Sequence, residues 1–492
     1  MEAGGIKMRA HRLPTGFWLS WLLGMAWCLY RALVNEAWIL DDELSHFLIS
    51  QDVWSDSKEL WHPWSRPGRN LLQVIPSYFG ITVARLWTLA LAGITVWLAG
   101  REALSLRLGI LWMLPLLICF QWWFPELSYP VLTQSPFMMV WFLGVFLARR
   151  KHLLWAALCW GYLPLIRHEG IALSGLWGLW VIFGPGGFAK LFFKGKWHEV
   201  GPAFGRAALL GVVTLSPLIV MNVMTWWTRG ELPVAMFFEA KPTEYYGSGP
   251  IWWYLAHLLW GAGLPVVVFL GWGMFRPWRD RDWSLLLYWT YPAYLVLHTF
   301  IFWKGLFASG GYYHFIMPMA PWIGLVALKG IAAMRSCWGQ RPVVAAAALT
   351  VYGGLLMLQQ QWQVSDGHIE GMPEIRKEIS WIAAPPMRLS RFGKGLEDAA
   401  SWLHENREDE PWLSHHVAVS YFLSRPPLDG HLDPWGGYQP DSPALKRGTL
   451  LVWDSHYSTQ SQFGFSLERL AENGWVELGS WAHGTVRVFR KN

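Results

Sequence analysis

The chain has 492 residues, of which 53% are hydrophobic, only 15% are charged and 38 are tryptophan. This composition excludes an ordinary soluble protein and is typical of a polytopic membrane protein with many aromatic rings at the lipid headgroups. The formal charge of +6 does not indicate a nucleic-acid partner, because the basic residues fall in short runs between apolar spans.

Apolar spans follow one another along most of the chain, and their lengths predict about eleven transmembrane helices. We expect the first span to remain as a helix, because it is long enough to cross the bilayer and lacks a convincing cleavage site. The two spans around Arg167 offer only about 15 apolar residues each and are candidates for half-length or re-entrant helices. The spans lie near residues 15–37, 80–99, 107–122, 128–147, 153–166, 170–184, 205–226, 251–275, 284–303, 312–334 and 343–362.

The basic residues predict the orientation of the chain. If the start, with Lys7, Arg9 and Arg12, is cytoplasmic, every strongly basic loop falls on the cytoplasmic side. The chain has no Asn-x-Ser/Thr sequon and no readable disulfide framework, which favours a bacterial inner-membrane protein facing the periplasm. The side opposite the cytoplasm then receives the segment 38–79, the loop around Glu126, the turn at Arg167, the loop 227–250, the segment before Tyr312 and everything after residue 362.

The chain changes character near residue 363, where charge density rises and apolar runs shorten. We therefore predict a transmembrane domain over residues 1–362, including the external loop 38–79, and an extracytoplasmic soluble α/β domain over residues 363–492. Within the second domain the pattern predicts helices over 395–407 and 467–472 and strands over 417–423, 449–453, 475–478 and 485–489.

Three carboxylates, Asp41, Asp42 and Glu43, follow the first apolar span directly. Carboxylates at a membrane boundary are costly to desolvate and contribute nothing to anchoring, so we interpret them as part of a functional site. The alternative is a solvated cluster that caps a helix, since carboxylates favour helix N-termini.

Short motifs in the membrane region carry a resemblance to a known class of enzyme. They are Asp42-Glu43, Thr133-Gln134-Ser135-Pro136, Arg167-His168-Glu169-Gly170 and Tyr313-His314-Phe315. In these motifs the sequence resembles the GT-C glycosyltransferases, which take a sugar from a polyprenyl- or dolichyl-phosphate carrier. The similar proteins include the protein O-mannosyltransferases, the aminoarabinose transferases and the GPI and Alg mannosyltransferases. His314 stands where arginine is usual in this class, and Gln134 stands where glutamate is usual.

The resemblance implies an α-helical GT-C fold and an inverting transfer of mannose, or another hexose or pentose, to an acceptor hydroxyl. Asp42 would be the general base, and Glu43 would position the acceptor or a neighbouring cation. The residues implied to bind the carrier phosphate are Arg167, His168, Lys241 and His314. The residues implied to bind the acceptor or the sugar are Glu126, Arg66, Tyr245 and Tyr246.

The expected partners are the carrier-linked sugar donor, an acceptor that is a lipid, a glycan or a protein, and the lipid bilayer. No nucleic acid is expected. The resemblance establishes no cofactor and leaves a divalent metal ion open, because similar proteins differ in this respect.

Other interpretations of the same residues stay open. Arg167 could be an interfacial anchor paired with Glu169, and Glu126 could be an exposed loop carboxylate. Tyr245 and Tyr246 could belong to an interfacial aromatic belt instead of a lid over the sugar. For the whole protein the alternatives are a membrane transporter, although the sequence has no internal repeat, and a non-enzymatic envelope assembly or binding protein.

Overall fold

The structure is a computed structural model. It describes residues 12–35, 41–184, 187–233, 247–275, 283–307, 310–356, 360–363, 374–377, 389–406, 410–423, 431–432, 438–460 and 463–492. The chain divides into two compact units. Unit 1 comprises Met1–Leu33, Ile49–Leu358 and Ser380–Ala384, and unit 2 comprises Val34–Leu48, Gln359–Ile379 and Pro385–Asn492. The predicted domain boundary at residue 362 stays a prediction.

Unit 1 consists mainly of α-helices, which satisfy their backbone hydrogen bonds internally as a lipid environment requires. The helices are α1 (Thr15–Val34), α2 (Asp41–Asp52, which continues from unit 2), α3 (Pro67–Tyr78), α4 (Ile81–Ser105), α5 (Met113–Cys119), α6 (Phe124–Leu127), α7 (Gln134–Arg149), α8 (Leu153–Ile166), α9 (Gly170–Phe183), α10 (Phe188–Phe193), α11 (Trp197–Arg229), α12 (Trp253–Ala262), α13 (Leu264–Met274), α14 (Thr290–Trp303), α15 (Ala320–Trp338) and α16 (Arg341–Leu356). Short 3₁₀ helices cover Ser57–Trp61, Trp283–Trp289 and Tyr313–Met319.

Within the described residues, 6 helices are long and apolar enough to cross a membrane, and a bent pair brings the number to 7. The protein is therefore an integral membrane protein. The bent pair, Trp253–Leu259 and Leu264–Met274, turns by 112° at a short break, as in a broken span or a re-entrant loop. The six helices are Thr15–Val34, Ile81–Ser105, Gly170–Phe193, Trp197–Arg229, Ser284–Trp303 and His314–Trp338.

Several predicted spans are shorter in the structure. The span predicted over 107–122 contains only the 7 residues of α5 as a helix. The helix α8, before Arg167, has 14 residues, in agreement with the half-length interpretation. A helix of 14 residues such as α8 is about 21 Å long, which is less than the roughly 30 Å thickness of the hydrocarbon core of a membrane. The helix α9, after Arg167, also has 14 residues but belongs to the candidate span Gly170–Phe193, so the half-length interpretation does not hold for it. The count of about eleven crossings stays a prediction.

A basic run that the sequence assigns to the cytoplasmic side also has a structural role. Arg149 and Arg150, at the end of α7, both form ion pairs with Glu102 near the end of α4. The Glu102 side chain is fully buried, and its Oε2 lies 2.8 Å from Nη1 of Arg150. Since a buried charge must be paired, this contact joins the ends of the two helices.

The turn between α8 and α9 requires a close approach of two backbones. Arg167, which follows α8, has an extended conformation with φ −149° and ψ 139°. The next helix begins at Gly170, where a Cβ atom would lie only 2.4 Å from the carbonyl carbon of Leu163. Glycine fits this position and larger residues do not, which explains why the Arg-His-Glu motif ends in glycine.

Unit 2 contains a small α/β module, as predicted. Its elements are β1 (Gln360–Gln363), β2 (Glu374–Lys377), α17 (Arg391–Asn406), β3 (Trp412–Ser414), α18 (Val417–Leu423), β4 (Leu450–Asp454), α19 (Leu467–Glu472), β5 (Trp475–Trp481) and β6 (Val486–Lys491). Four strands form a sheet in the order β3-β4-β6-β5, with β3 and β4 parallel and the other pairs antiparallel. Its core contains Leu413, Leu451, Trp453, Phe465 and Phe489.

The strand predicted over 417–423 is wrong, because this segment is the helix α18. A short apolar run fits either a strand or a buried helix, so its periodicity does not decide between them. Local hydrogen bonds favour the helix. The Ser414 Oγ accepts the N–H of His416 at 3.2 Å, and the His416 Nδ1 accepts the N–H of Ala418 at 3.1 Å. These acceptors satisfy backbone donors at the start of the helix.

We expect Gly170→Ala to lower the melting temperature of the purified protein, because the added Cβ forces the backbones of α8 and α9 apart. Gly175→Ala is the matched control on the same helix, since no described atom lies within 4 Å of a Cβ at Gly175. This control should leave the melting temperature unchanged or raise it, because alanine favours a helix over glycine by about 1 kcal/mol. Equal melting temperatures for the two variants would contradict the close approach.

Candidate active site

The side chain of Arg167 lies in a buried polar cluster of unit 1. Its Nη2 donates to Oε1 of Glu169 at 2.7 Å, and its Nη1 donates to Oγ1 of Thr133 at 2.8 Å. The guanidinium carbon lies 4.7 Å from the ring centroid of Phe315. The pair with Glu169 that the anchor interpretation predicted therefore exists, but Arg167 is buried, at only 7% exposed, and Glu169 is half-buried. A buried guanidinium keeps its charge and needs anionic or polar partners.

A histidine and two tyrosines from later helices complete the cluster. The Nε2 of His298 on α14 lies 3.5 Å from the same Glu169 oxygen. The His298 ring packs against Tyr294 at 4.4 Å and against Tyr254 of α12 at 5.8 Å, between ring centroids. All three aromatic side chains are buried. Burial alone would raise the pKa of the Glu169 carboxyl, but the charge of Arg167 outweighs it and holds this pKa well below its usual range.

Several buried polar atoms of the cluster make no hydrogen bond within the described part of the chain. They are the Nε of Arg167, the Nδ1 of His298 and the hydroxyl of Tyr254. A buried polar atom without a partner costs about 1–3 kcal/mol, so such atoms in one cluster indicate a site for water or a polar ligand.

The segment after α2 is anchored beside this cluster. Tyr162 of α8 donates its hydroxyl to the carbonyl oxygen of Gly68 at 2.7 Å. At its other side, Nη1 of the buried Arg69 donates to Oγ of Ser50 on α2 at 2.7 Å. Arg66 lies in the same segment, and its Nη1 donates to the carbonyl oxygen of Pro63 at 2.8 Å. Arg66 is close enough to His168 for its charge to lower the pKa of that histidine.

The two histidines predicted to bind phosphate are both in unit 1. Burial, followed by the charge of Arg66, lowers the pKa of His168 to about 3, so its ring is neutral at pH 7. A neutral imidazole can donate one hydrogen bond to a phosphate oxygen but adds no charge. His314 is 3% exposed and packs against Phe315 at 4.4 Å, on the ring that also contacts Arg167. The structure thus brings Arg167, His168 and His314 into one region.

Other predicted residues lie elsewhere or outside the described residues. Glu126 on α6 is buried, so the interpretation as an exposed loop carboxylate is wrong. Its Oε1 accepts from the Nε of Arg31 on α1 at 2.6 Å, with both side chains almost fully buried. Lys241, Tyr245 and Tyr246 lie outside the described residues.

The acidic triplet forms the first turn of α2. Asp42 is exposed, whereas Glu43 is 0% exposed. This position suits both the site and the capping interpretation, because a helix N-terminus stabilises carboxylates. Of the two side chains, Asp42 is the one exposed to solvent.

Two groups of residues were missed by sequence reasoning. The first group contains polar or aromatic residues that lie within apolar spans and belong to no motif: His298, Tyr254 and Tyr294. Nothing in the sequence therefore indicated that they lie close to Glu169. Arg31 had a signal in the sequence, because an ionisable residue inside an apolar span is a candidate functional or paired residue. Among the described residues, no group of three or more His, Cys, Asp or Glu side chains could hold a metal ion.

No protein-family model and no curated protein matches the chain. Solved structures do match. A crystal structure of ArnT from Cupriavidus metallidurans in the apo state superposes with a TM-score of 0.58, covering 97% of this chain and 98% of that chain at 14% sequence identity. The structure of ArnT from the same organism bound to undecaprenyl phosphate matches with a TM-score of 0.58 and the same coverage at 12% identity.

The similarity extends over nearly the full length of both chains, although few residues are identical. This chain therefore has the GT-C fold, as its motifs predicted.

We expect Glu169→Gln to lower the free energy of unfolding by about 3–5 kcal/mol, because it leaves the buried Arg167 charge without its anionic partner. The double variant Arg167→Leu with Glu169→Gln should lose less than the sum of the two single losses, since it removes both charges. Chemical unfolding in detergent micelles measures these values. Glu199→Gln is the control, because Glu199 pairs with Lys196 in solvent and should contribute nothing measurable. Strictly additive losses would contradict the coupling of Arg167 and Glu169.

Proposed function

We propose that the protein is an inverting glycosyltransferase that moves a sugar from a polyprenyl-phosphate carrier to an acceptor hydroxyl on the extracytoplasmic side of the membrane. The observation that carries the proposal is the buried Arg167 cluster, with its unpartnered polar atoms, in a chain with the GT-C fold. The binding of undecaprenyl phosphate by ArnT, a protein of the same fold, supports a lipid phosphate as the leaving group.

In the proposed reaction the acceptor oxygen attacks the anomeric carbon of the sugar while the bond from this carbon to the phosphate oxygen breaks. The acceptor proton passes to the carboxylate of Asp42, and the bonding electrons leave with the lipid phosphate. The exposure of Asp42 supports its role as the base, and the burial of Glu43 supports a positioning role. One displacement at the anomeric carbon inverts its configuration.

The departing phosphate gains negative charge, which a fixed cation stabilises. Arg167 suits this role, because a guanidinium donates paired, charge-assisted hydrogen bonds to phosphate oxygens. We assign His168 and His314 as hydrogen-bonding partners of the phosphate and Lys241 as a second cation. Arg66, Glu126, Tyr245 and Tyr246 are assigned to the sugar or the acceptor.

The finer parts of the proposal concern the substrates and the compartment. We propose that the sugar is mannose or another hexose or pentose, that the protein lies in a bacterial inner membrane, and that residues 363–492 form a domain in the periplasm. The basic loops and the lack of sequons support this orientation.

The test is a transfer assay with purified protein in lipid vesicles and a panel of radiolabelled polyprenyl-phosphate sugars. Transfer of label from at least one donor to a hydroxyl-bearing acceptor is the expected result. Transport of solute across the vesicle membrane without transfer would favour a transporter, and donor binding without transfer would favour an assembly or binding protein.

We expect Asp42→Asn to reduce transfer by about 10²- to 10⁴-fold, because asparagine keeps the size and hydrogen-bonding capacity but cannot take the proton. Expression, melting temperature and donor affinity should stay close to those of the wild type. Asp41→Asn is the neighbouring control and should be much milder. Normal turnover in Asp42→Asn together with an inactive Asp41→Asn or Glu43→Gln would move the base by one residue. Normal turnover in all three would contradict the mechanism.

A further inference from the structure

The segment that carries the acidic triplet groups with the C-terminal unit. Residues Val34–Leu48 belong to unit 2, together with the sheet and its helices. Within this unit, Phe47 on α2 contacts Tyr421 on α18. The ring centroids lie 6.1 Å apart and the rings are T-shaped at 77°. Phe47 is fully buried and Tyr421 is half-buried.

The buried face of α2 determines where Asp42 points. Phe47 lies one turn after Glu43, so the two side chains share a face of the helix. Glu43, Leu44, His46 and Phe47 are all buried. Asp42 precedes Glu43 by about 100° of rotation around the helix and is exposed. Any rotation of α2 about its axis would therefore move the Asp42 carboxylate.

The position of Tyr421 is set by the fold of unit 2. Val419 and Leu423, on the face of α18 opposite Tyr421, are buried. The ring of His416, just before α18, packs against Phe392 of α17 with 5.5 Å between ring centroids. The helix that presents Tyr421 to Phe47 is thus anchored within the C-terminal module.

We propose that Phe47 and Tyr421 are positioning residues, through which the C-terminal unit sets the rotation of α2 and aims the Asp42 carboxylate at the acceptor. This inference rests on the proposed role of Asp42 as the general base. A base must lie within about 3 Å of the proton that it takes, and a misplacement of about 1 Å can cost about 100-fold in rate. An aromatic pair contributes through its fixed geometry as well as through the area that it buries.

The experiment compares Tyr421→Ala, Phe47→Ala and Tyr421→Phe in the transfer assay. The two alanine variants should lower kcat by about 10- to 100-fold and leave the donor affinity unchanged. Tyr421→Phe keeps the ring and should retain the wild-type kcat. The double alanine variant should be no slower than the slower single variant, because both changes remove the same contact. If Tyr421→Ala does not fold, Phe47→Leu removes the ring from α2 while keeping an apolar side chain and replaces it in the comparison.

The control is Trp402→Ala. Trp402 of α17 and Trp481 of β5 form another T-shaped ring pair of unit 2, also 6.1 Å between centroids. Loss of this ring pair in Trp402→Ala should lower the melting temperature, as Tyr421→Ala does, but should leave kcat unchanged. A wild-type kcat in Tyr421→Ala, or an equal loss of kcat in Trp402→Ala and Tyr421→Ala, would overturn the inference. An inactive Asp42→Asn variant would still support the proposed function in either case. Absence of transfer by the wild-type protein would overturn the proposed function first and the inference with it.

Discussion

The buried charge of Arg167 is the constraint on which the rest of unit 1 depends. A guanidinium does not lose its proton in proteins, so the fold must provide partners wherever it buries one. One partner, Glu169, is two residues on, and the others come from distant parts of the chain: Thr133 before α7 and the ring of Phe315. His298 approaches the same carboxylate from α14. The short helices α8 and α9 can place Arg167 there because Gly170 lets them approach closely.

We interpret this arrangement as more than a structural ion pair, because its hydrogen bonds are incomplete within the described residues. The Nε of Arg167, the Nδ1 of His298 and the hydroxyl of Tyr254 are buried without a partner there. Each unpaired group is destabilising, and a ligand that bonds to it would remove that cost. A phosphate group offers negative charge and several acceptor oxygens, so it can bind both the charged Arg167 and the neutral His168. We therefore take this cluster as the proposed donor site.

The sequence predicts what depends on local pattern and misses what depends on distant contacts. Hydropathy predicted the membrane class and the half-length helix α8 before Arg167, and the Arg-His-Glu-Gly motif predicted the turn that follows it. Tyr254 and His298 could not be predicted as neighbours of Glu169, because they lie in separate apolar spans and the fold alone brings them together. The helix α18 was predicted as a strand because its apolar run is short, and the deciding hydrogen bonds come from Ser414 and His416. The grouping of Asp42 with the C-terminal unit had no sequence signal at all.

Binding of a polyprenyl phosphate to purified protein tests the central claim most directly, because it measures the donor site without requiring the right sugar or acceptor. The account predicts at least about 10-fold weaker binding by Arg167→Ala, since hydrogen bonds to charged groups contribute about 1.5–3 kcal/mol. Arg167→Lys should bind with intermediate affinity, because lysine keeps the charge and loses the paired geometry. Arg229→Ala, which removes an arginine paired with Glu59 at 2.5 Å, is the control and should bind normally. Wild-type affinity in a folded Arg167→Ala protein would contradict the account and place the phosphate elsewhere.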